Sequence, residues 1–449
     1  MNSKVLNKFF DRATSNPAFI LSGGFFILIT IGGLILSTGA VTQTGNPTNL
    51  LDAFFVAASA SCVTGLSPVN TAEHWNTLGH VVIIILIQIG GLGIMTLASL
   101  IPLILGKKIG IRSRHILKEQ LNIESMSGMI NLFKYVLIFT FSVEFLGALL
   151  LSFRFIPSYG IGKGIWFSVF HSISAFCNAG FDILGDSIYP LRDDILVNTT
   201  LMALIVIGGL GFMVTSEIFY RKKFEKISTH SKLVIFINLF LILAGAIAFY
   251  LLEVYTNGVL KDESMKGRIV ESFFQSVSAR TAGFYSVDLN KINDSTAFML
   301  ISLMFIGGSP GSTAGGIKIT TMGIIVLAMI AEIKNQKDVV VFKRRISEES
   351  IRKALSIFLA SFIVVLLVSF IISLTDDFAI IDILYETVSA LATVGASRGI
   401  TSLLSPIAKV LIALCMYLGR IGPMTMALAF GLKSKDRLIR YPDAYVGLG

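Results

Sequence analysis

The part of this chain most suited to chemistry is a stretch of backbone, written four times. Ser59-Ala60-Ser61-Cys62-Val63-Thr64-Gly65 returns as Ser174-Ala175-Phe176-Cys177-Asn178-Ala179-Gly180, as Ser278-Ala279-Arg280-Thr281-Ala282-Gly283 and as Ser389-Ala390-Leu391-Ala392-Thr393-Val394-Gly395. The third copy is one residue shorter, and successive final glycines lie 115, 103 and 112 residues apart. That spacing is too regular for chance and too long for a solenoid repeat. Glycine adopts backbone conformations other residues resist, so carbonyl oxygens can be brought close to an axis. A ring of carbonyls replaces the water shell of a cation. The candidate ligands are therefore the backbone oxygens of Val63, Thr64 and Gly65; Asn178, Ala179 and Gly180; Thr281, Ala282 and Gly283; and Thr393, Val394 and Gly395. Glycines also serve simply to pack membrane helices closely, a reading that suits one copy better than four at matching positions. Because the four loops differ in sequence, the ring is expected to be less regular than one built by four identical chains.

Such loops need elements that hold them at membrane depth, and composition supplies them. The 449 residues are 54% hydrophobic and 14% charged, against about 25% charged in a soluble protein, so the chain is read as an integral membrane protein. Uncharged or nearly uncharged runs long enough to cross a bilayer occur near 18–36, 78–105, 131–152, 195–219, 233–253, 297–330, 354–374 and 405–430. Within each successive pair sits a shorter apolar run (51–61, 164–176, 269–279 and 379–391) that ends in the repeated motif. A run too short to span, followed by a glycine loop, fits a re-entrant half-helix. Half-helices aiming their C-terminal ends at one axis add negative potential, which favours a cation. The expected fold is an all-α polytopic membrane protein of four tandem units, each a span, a pore helix, a loop and a span, with pseudo-four-fold symmetry around one pore. The unit boundaries are expected at 1–110, 111–225, 226–345 and 346–449.

Charge placement orients the chain. The tails and the three connections between units hold 24 of the 37 Lys and Arg residues, and the segments flanking the loops hold eight. The positive-inside rule then puts both termini and the connections in the cytoplasm, with the loops entering from outside. The net charge of +9 is accounted for by topology, which leaves no case for nucleic-acid binding. The first span follows Lys4, Lys8 and Arg12 but is too long for a cleaved signal peptide and reads as a signal-anchor. Three cysteines and five scattered histidines form no disulfide framework or metal motif. Glu144 stands inside the 131–152 run, where a hydrogen bond between helices is the expected role.

The second spans carry a further pattern. Gly90-Gly91, Gly208-Gly209 and Gly307-Gly308 follow their loop glycines by 25, 28 and 24 residues, and Gly419-Arg420 takes the same place in the fourth unit, 24 residues on. A charge at that depth is costly and faces a cavity or a partner. In the third unit Gly307, Gly308, Ser309, Pro310, Gly311, Ser312, Thr313, Ala314, Gly315 and Gly316 cannot continue a helix, since five glycines and a proline lie in ten residues. This break is expected to obstruct the path below the loops, to have few ways of being held rigid, and to receive hydrogen bonds from Arg420. It and Arg420 form the candidate gate. Gly311 and Gly316 have the spacing of a nucleotide P-loop, but Ile317 and Lys318 follow where Lys and Ser or Thr are needed.

These motifs resemble the Trk/Ktr/HKT superfamily of potassium transporters, and most closely the membrane subunit of bacterial Ktr systems. The resemblance covers essentially the whole chain and rests on Val63-Thr64-Gly65-Leu66, Asn178-Ala179-Gly180-Phe181, Arg280-Thr281-Ala282-Gly283-Phe284, Thr393-Val394-Gly395, Gly419-Arg420-Ile421-Gly422-Pro423, the Ser309–Gly316 loop and Arg440-Tyr441-Pro442-Asp443. It implies potassium-selective uptake, because all four loop glycines are present where sodium-transporting relatives have serine in the first. It also implies a homodimer with one pore per protomer, docked on a separate cytoplasmic ring of nucleotide-binding subunits, and sodium as an activator. The residues themselves argue against two other classes. A secondary symporter with alternating access calls for inverted repeats and ionisable groups at the substrate site, whereas these repeats run parallel and Arg280 is the lone charge in the motifs. A membrane enzyme needs a nucleophile with a base, or a metal-ligand set, and the chain carries neither pattern.

Overall fold

A computed structural model of the protein describes residues 17–93, 129–221 and 224–422. Along them run α1 (Pro17–Leu36), α2 (Leu50–Ser61) and α3 (Thr77–Leu92); α4 (Met129–Tyr159), α5 (Ile161–Phe176), α6 (Ile195–Gly209) and α7 (Phe212–Arg221); α8 (Thr229–Tyr255), α9 (Met265–Ser278), α10 (Asp294–Phe305) and α11 (Ile319–Ile333); and α12 (Glu348–Thr375), α13 (Ile380–Leu391) and α14 (Pro406–Ile421). A two-stranded antiparallel hairpin, β1 (Val340–Val341) and β2 (Arg344–Arg345), joins α11 to α12.

Among the described residues, four single helices are long and apolar enough to cross a bilayer: the stretches Phe19–Leu36 in α1, Lys134–Tyr159 in α4, Thr229–Tyr255 in α8 and Glu348–Thr375 in α12. Their outer faces expose Phe26, Phe145, Leu239 and Phe370, as a helix against hydrocarbon should. Each is followed by a helix of 12 to 16 residues, namely α2, α5, α9 and α13, too short to span about 30 Å of hydrocarbon. Their first turns are set by local chemistry in two cases: Asn49 caps α2 by accepting the Leu51 N–H at 3.1 Å, and Ser264 caps α9 by accepting from Gly267 at 3.1 Å.

The second spans depart from the expectation of one break in the third unit. The 195–219 run is two helices, α6 and α7, bent by 97°, because Gly211 takes a φ of +92° that ends the helix. The first and fourth units share the device: α3 ends at Gly93 with φ +85° and α14 at Gly422 with φ +91°. The parts of the 78–105 and 405–430 runs beyond those glycines lie outside the described residues, as does Arg440-Tyr441-Pro442-Asp443. In the third unit α10 stops at Phe305 and α11 resumes at Ile319, as the glycines and proline require.

In the first, second and fourth units the first glycine explains how these helices sit, whereas Gly307 faces Gly315 O within its own break. A Cβ on Gly90 would lie 2.0 Å from the Ser61 carbonyl oxygen, one on Gly208 1.9 Å from that of Phe176, and one on Gly419 1.9 Å from that of Leu391. Each of those carbonyls belongs to the last residue of the short helix in the same repeat. The pairs therefore let the second helix close directly onto the end of the short one. Gly208→Ala should lower stability by about 1–3 kcal/mol, overpacking a rigid backbone neighbour and outweighing the ~1 kcal/mol gained in helix propensity. Thermal unfolding of the purified protein checks this against Gly23→Ala, whose Cβ meets nothing within 4 Å; equal stability of the two variants would refute the close approach.

Candidate functional site

Each repeated loop is shaped by the end of its short helix. Thr64 and Val63 donate N–H bonds back to Ser59 O (2.8 Å) and Ala60 O (3.2 Å); Ala179 and Asn178 do so to Ser174 O (2.8 Å) and Ala175 O (3.0 Å); Val394 and Thr393 to Ser389 O (2.8 Å) and Ala390 O (3.1 Å). In the shorter third copy Ala282 donates to Ser278 O at 2.9 Å. These bonds satisfy helix-terminal carbonyls that otherwise lack partners, and they commit the loop donors inward. No hydrogen bond among the described residues occupies the carbonyl oxygens of Val63 to Gly65, Asn178 to Gly180, Thr281 to Gly283 or Thr393 to Gly395.

The backbone also alternates in sign. Val63, Asn178, Thr281 and Thr393 have φ of +58°, +57°, +74° and +51°, and Gly65, Gly180, Gly283 and Gly395 have +104°, +69°, +74° and +92°, while the residue between each pair is not left-handed. In a pleated strand successive groups point to opposite sides; alternating the sign of φ turns successive carbonyls to the same side. A left-handed L-residue costs roughly 1–2 kcal/mol, and here that strain is held at four equivalent places.

The repeated serine, which the sequence offered only as a marker, is the brace. Ser59 Oγ accepts the Gly65 N–H at 3.0 Å and Ser389 Oγ accepts that of Gly395 at 3.1 Å. Ser174 Oγ donates to Phe181 O at 2.7 Å, and Ser278 Oγ donates to Phe284 O. Its presence in every copy was the available signal.

The four loops meet one another in chain order. A Cβ on Gly65 would stand 2.6 Å from Ala179 O, on Gly180 2.5 Å from Ala282 O, on Gly283 2.3 Å from Val394 O, and on Gly395 2.0 Å from Thr64 O. The circuit closes. On one side of the glycines a cavity of about 570 Å³ opens, with Asp182, Asp186 and Asp288 on its wall. Burial, together with those three carboxylates, pushes the Tyr285 phenol up, so this side chain stays neutral in an electronegative vestibule.

On the other side lies the break in the third unit, and the structure corrects the expectation that it has few ways of being held. Ser309 and Thr313 donate N–H bonds to Gly209 O (3.1 Å) and Gly208 O (3.3 Å), and Phe212 donates to Gly311 O at 2.9 Å. Thr313 Oγ1 donates to Phe176 O at 3.0 Å and lies 3.2 Å from Asn178 Oδ1. Inside the break, Gly307 N–H bonds Ile317 O at 2.8 Å, and Lys318 Nζ donates to Ala314 O at 2.8 Å. A Cβ on Gly315 would lie 2.0 Å from Thr393 Oγ1, so the segment rests against the base of the second and fourth loops.

Arg420 reaches the same place from α14. Its Nη1 donates to Thr313 O, and its Nη2 donates to Gly90 O and, at 3.0 Å, to Gly91 O. One guanidinium thus ties the break to the end of α3. The contacts with Gly90 and Gly91 had no counterpart in the sequence reading. Arg280 meets the start of the break from the third loop: it donates to the Asn238 side chain on α8 and, at 3.5 Å, to Gly307 O. Glu144 accepts from Gln88 Nε2 at 3.0 and 3.3 Å, a hydrogen bond between helices α4 and α3.

Long lipid-facing helices, short half-helices and converging backbone loops define a multi-pass helical membrane protein of the transport class. Residues 7–441 match the TrkH family, described as cation transport protein, and the chain belongs to that family. It is 40% identical over 445 residues to the potassium/sodium uptake protein NtpJ of Enterococcus hirae, covering 98% of each chain. It is 39% identical to the Ktr system potassium uptake protein B of Bacillus subtilis, over 96% of this chain and 97% of the relative. The crystal structure of the potassium transporter TrkH from Vibrio parahaemolyticus superposes with a TM-score of 0.73 at 20% identity, covering 92% of this chain and 84% of that one, a likeness of fold.

Proposed function

We propose that this protein takes up potassium through a selective, gated pore, lined by the carbonyls of its four repeated loops. One observation carries the reading: four left-handed loops, whose carbonyl oxygens accept no hydrogen bond among the described residues, contact one another in a closed circuit. Four units bounded near residues 110, 225 and 345 then surround one axis with pseudo-four-fold symmetry. Carbonyl oxygens fixed by helix ends replace a cation's hydration shell, and the half-helix termini add negative potential. The relatives' names supply the ion, and NtpJ's adds sodium, which we assign as an activator. Both termini face the cytoplasm in this reading. There a separate nucleotide-binding subunit ring meets a homodimer, in keeping with the Ktr-system names of the relatives.

Uptake of radioactive rubidium by liposomes carrying the purified protein tests this, with and without a membrane potential and with and without sodium. Potential-driven, saturable uptake resisting excess sodium is expected. Uptake that strictly requires a sodium gradient would instead mark a sodium-coupled symporter.

The break at Gly307–Gly316, with Arg420, is the proposed gate. Movement must exchange several of the bonds that hold it, so a partner subunit's conformational energy is the natural drive. Deleting Ser309–Ala314 removes the bonds to α6 and to Arg420 and should raise basal rubidium flux several-fold while uncoupling it from the regulatory subunit. Fully regulated flux in the deletion would rule the gate out.

A further inference from the structure

Three residues before the repeated serine, the short helices carry Val56, His171, Gln275 and Glu386. The four equivalent positions differ chemically, and one of them reaches past its loop. Glu386, on α13, is 1% exposed. Its Oε2 accepts the Ser397 hydroxyl at 2.7 Å and its Oε1 accepts the Thr401 hydroxyl at 2.5 Å; the two hydroxyl oxygens lie 2.9 Å apart. Ser397 Oγ in turn accepts the Gly399 N–H at 3.1 Å. Ser397 stands two residues beyond Gly395, and with Thr401 it walls the vestibule next to that glycine.

The other positions do not build this brace. Val56 has no polar atom to offer, His171 turns Nδ1 to Phe167 O of its own helix at 2.7 Å, and Gln275 meets Ser286 Oγ only at 3.4 Å. The nearby guanidinium of Arg398 is engaged by Asp382 at 2.7 Å and Asp294 at 3.1 Å, and among the described residues Glu386 has no ion-pair partner. Its carboxyl group is committed to the irregular segment beyond the fourth loop. That loop is also the one where the circuit is tightest, at Gly395 against Thr64.

We infer that Glu386 is a specificity-determining positioning residue: through Ser397 and Thr401 it pins the segment leaving Gly395, and so sets the place of the Thr393, Val394 and Gly395 carbonyls. The inference rests on reading those loops as the selectivity element. A binding constellation must be held to within about 0.5 Å by supporting hydrogen bonds, and a segment pinned two residues beyond its ligand meets that demand. The unit carrying valine here has the serine brace on its loop glycine but no side-chain carboxyl bonded to the residues beyond it, so the loops are not all held alike.

The full chain in liposomes, assayed for rubidium uptake under sodium competition with KM and maximal rate measured separately, tests the role. Glu386→Val imports the first unit's residue and removes both acceptors; discrimination against sodium should fall at least about tenfold, the scale of losing hydrogen bonds to a buried carboxyl group, with KM raised and maximal rate much less affected. Glu386→Gln keeps the shape and one acceptor oxygen and should restore most of the discrimination. The Ser397→Ala, Thr401→Val double variant leaves Glu386 in place and should reproduce the loss, with no further loss when Glu386→Val is added. Wild-type discrimination in both the Glu386→Val and the double variant overturns the inference, as does a fall in maximal rate with discrimination and KM unchanged. If the wild type itself does not discriminate, the reading of the loops fails, a result distinct from a selective wild type indifferent to these substitutions.

Discussion

In the proposed selective pore, Gly395→Ser will abolish most of the preference for potassium over sodium, with the largest effect among the four loop glycines. Two costs combine there. The residue sits at φ +92°, a conformation that costs an L-residue roughly 1–2 kcal/mol. The new Cβ would also stand 2.0 Å from Thr64 O and 2.9 Å from the Gly65 Cα, backbone atoms that cannot rotate aside. The clash pushes on a proposed ligand oxygen itself, so relief must displace the first loop. Since about 1.4 kcal/mol is tenfold in an equilibrium, discrimination should fall at least tenfold. The clearances rank the series: 2.0 Å at Gly395, 2.3 Å at Gly283, 2.5 Å at Gly180 and 2.6 Å at Gly65. Rubidium uptake into liposomes with sodium as competitor reads the ratio directly. Wild-type selectivity in all four serine variants would mean that the carbonyl circuit does not contact the ion.

Arg420→Ala should raise flux about tenfold or more while leaving selectivity nearly intact. The guanidinium donates to Thr313 O in the break and to Gly90 O and Gly91 O at the end of α3, and Arg is the side chain with donors enough to bridge both. Each such charge-assisted bond is worth about 1.5–3 kcal/mol, so losing the bond to Thr313 alone shifts a balanced closed–open equilibrium by at least about tenfold. Removing a cation beside the proposed path should lower the barrier for potassium further. Arg420→Lys keeps the charge but not the fork, and its flux should fall between wild type and Arg420→Ala. Single-turnover or steady-state rubidium flux, with insertion verified, decides it: lower flux in Arg420→Ala would show that the residue supports the fold and does not latch the gate.

How much was legible in the residues follows from the range of the forces involved. Span existence needs only local composition, because a long apolar helix satisfies its own backbone in hydrocarbon; the first span of each repeat was readable, while the helices over 131–152 and 354–374 extend beyond the apolar runs, to Tyr159 and back to Glu348. The loops were readable because only glycine serves where φ is positive and a neighbour's carbonyl stands within 2.6 Å. The bend in the second unit was missed. Gly208-Gly209 reads equally as a close-packing pair inside a straight helix, and the turn at Gly211 is decided by its contact with the third unit, where Phe212 N–H bonds Gly311 O. The firmness of the Gly307–Gly316 break was misjudged for the same reason. A glycine-rich stretch has few internal bonds, and those that hold this one come from α6, the start of α7, the second repeat's loop, Arg280 and α14.

The sequence by itself therefore determined that this is a polytopic membrane protein with four repeated glycine loops, since hydropathy, glycine and charge placement act through local physics. Only the tertiary structure decided what each polar group is for. Arg280, Arg420, Glu144 and Glu386 look alike on the page as charges in apolar surroundings. A buried charge takes its role from its partner, and these partners lie on other helices or in loops: Asn238 for Arg280, Thr313 and Gly90 for Arg420, Gln88 for Glu144, Ser397 and Thr401 for Glu386.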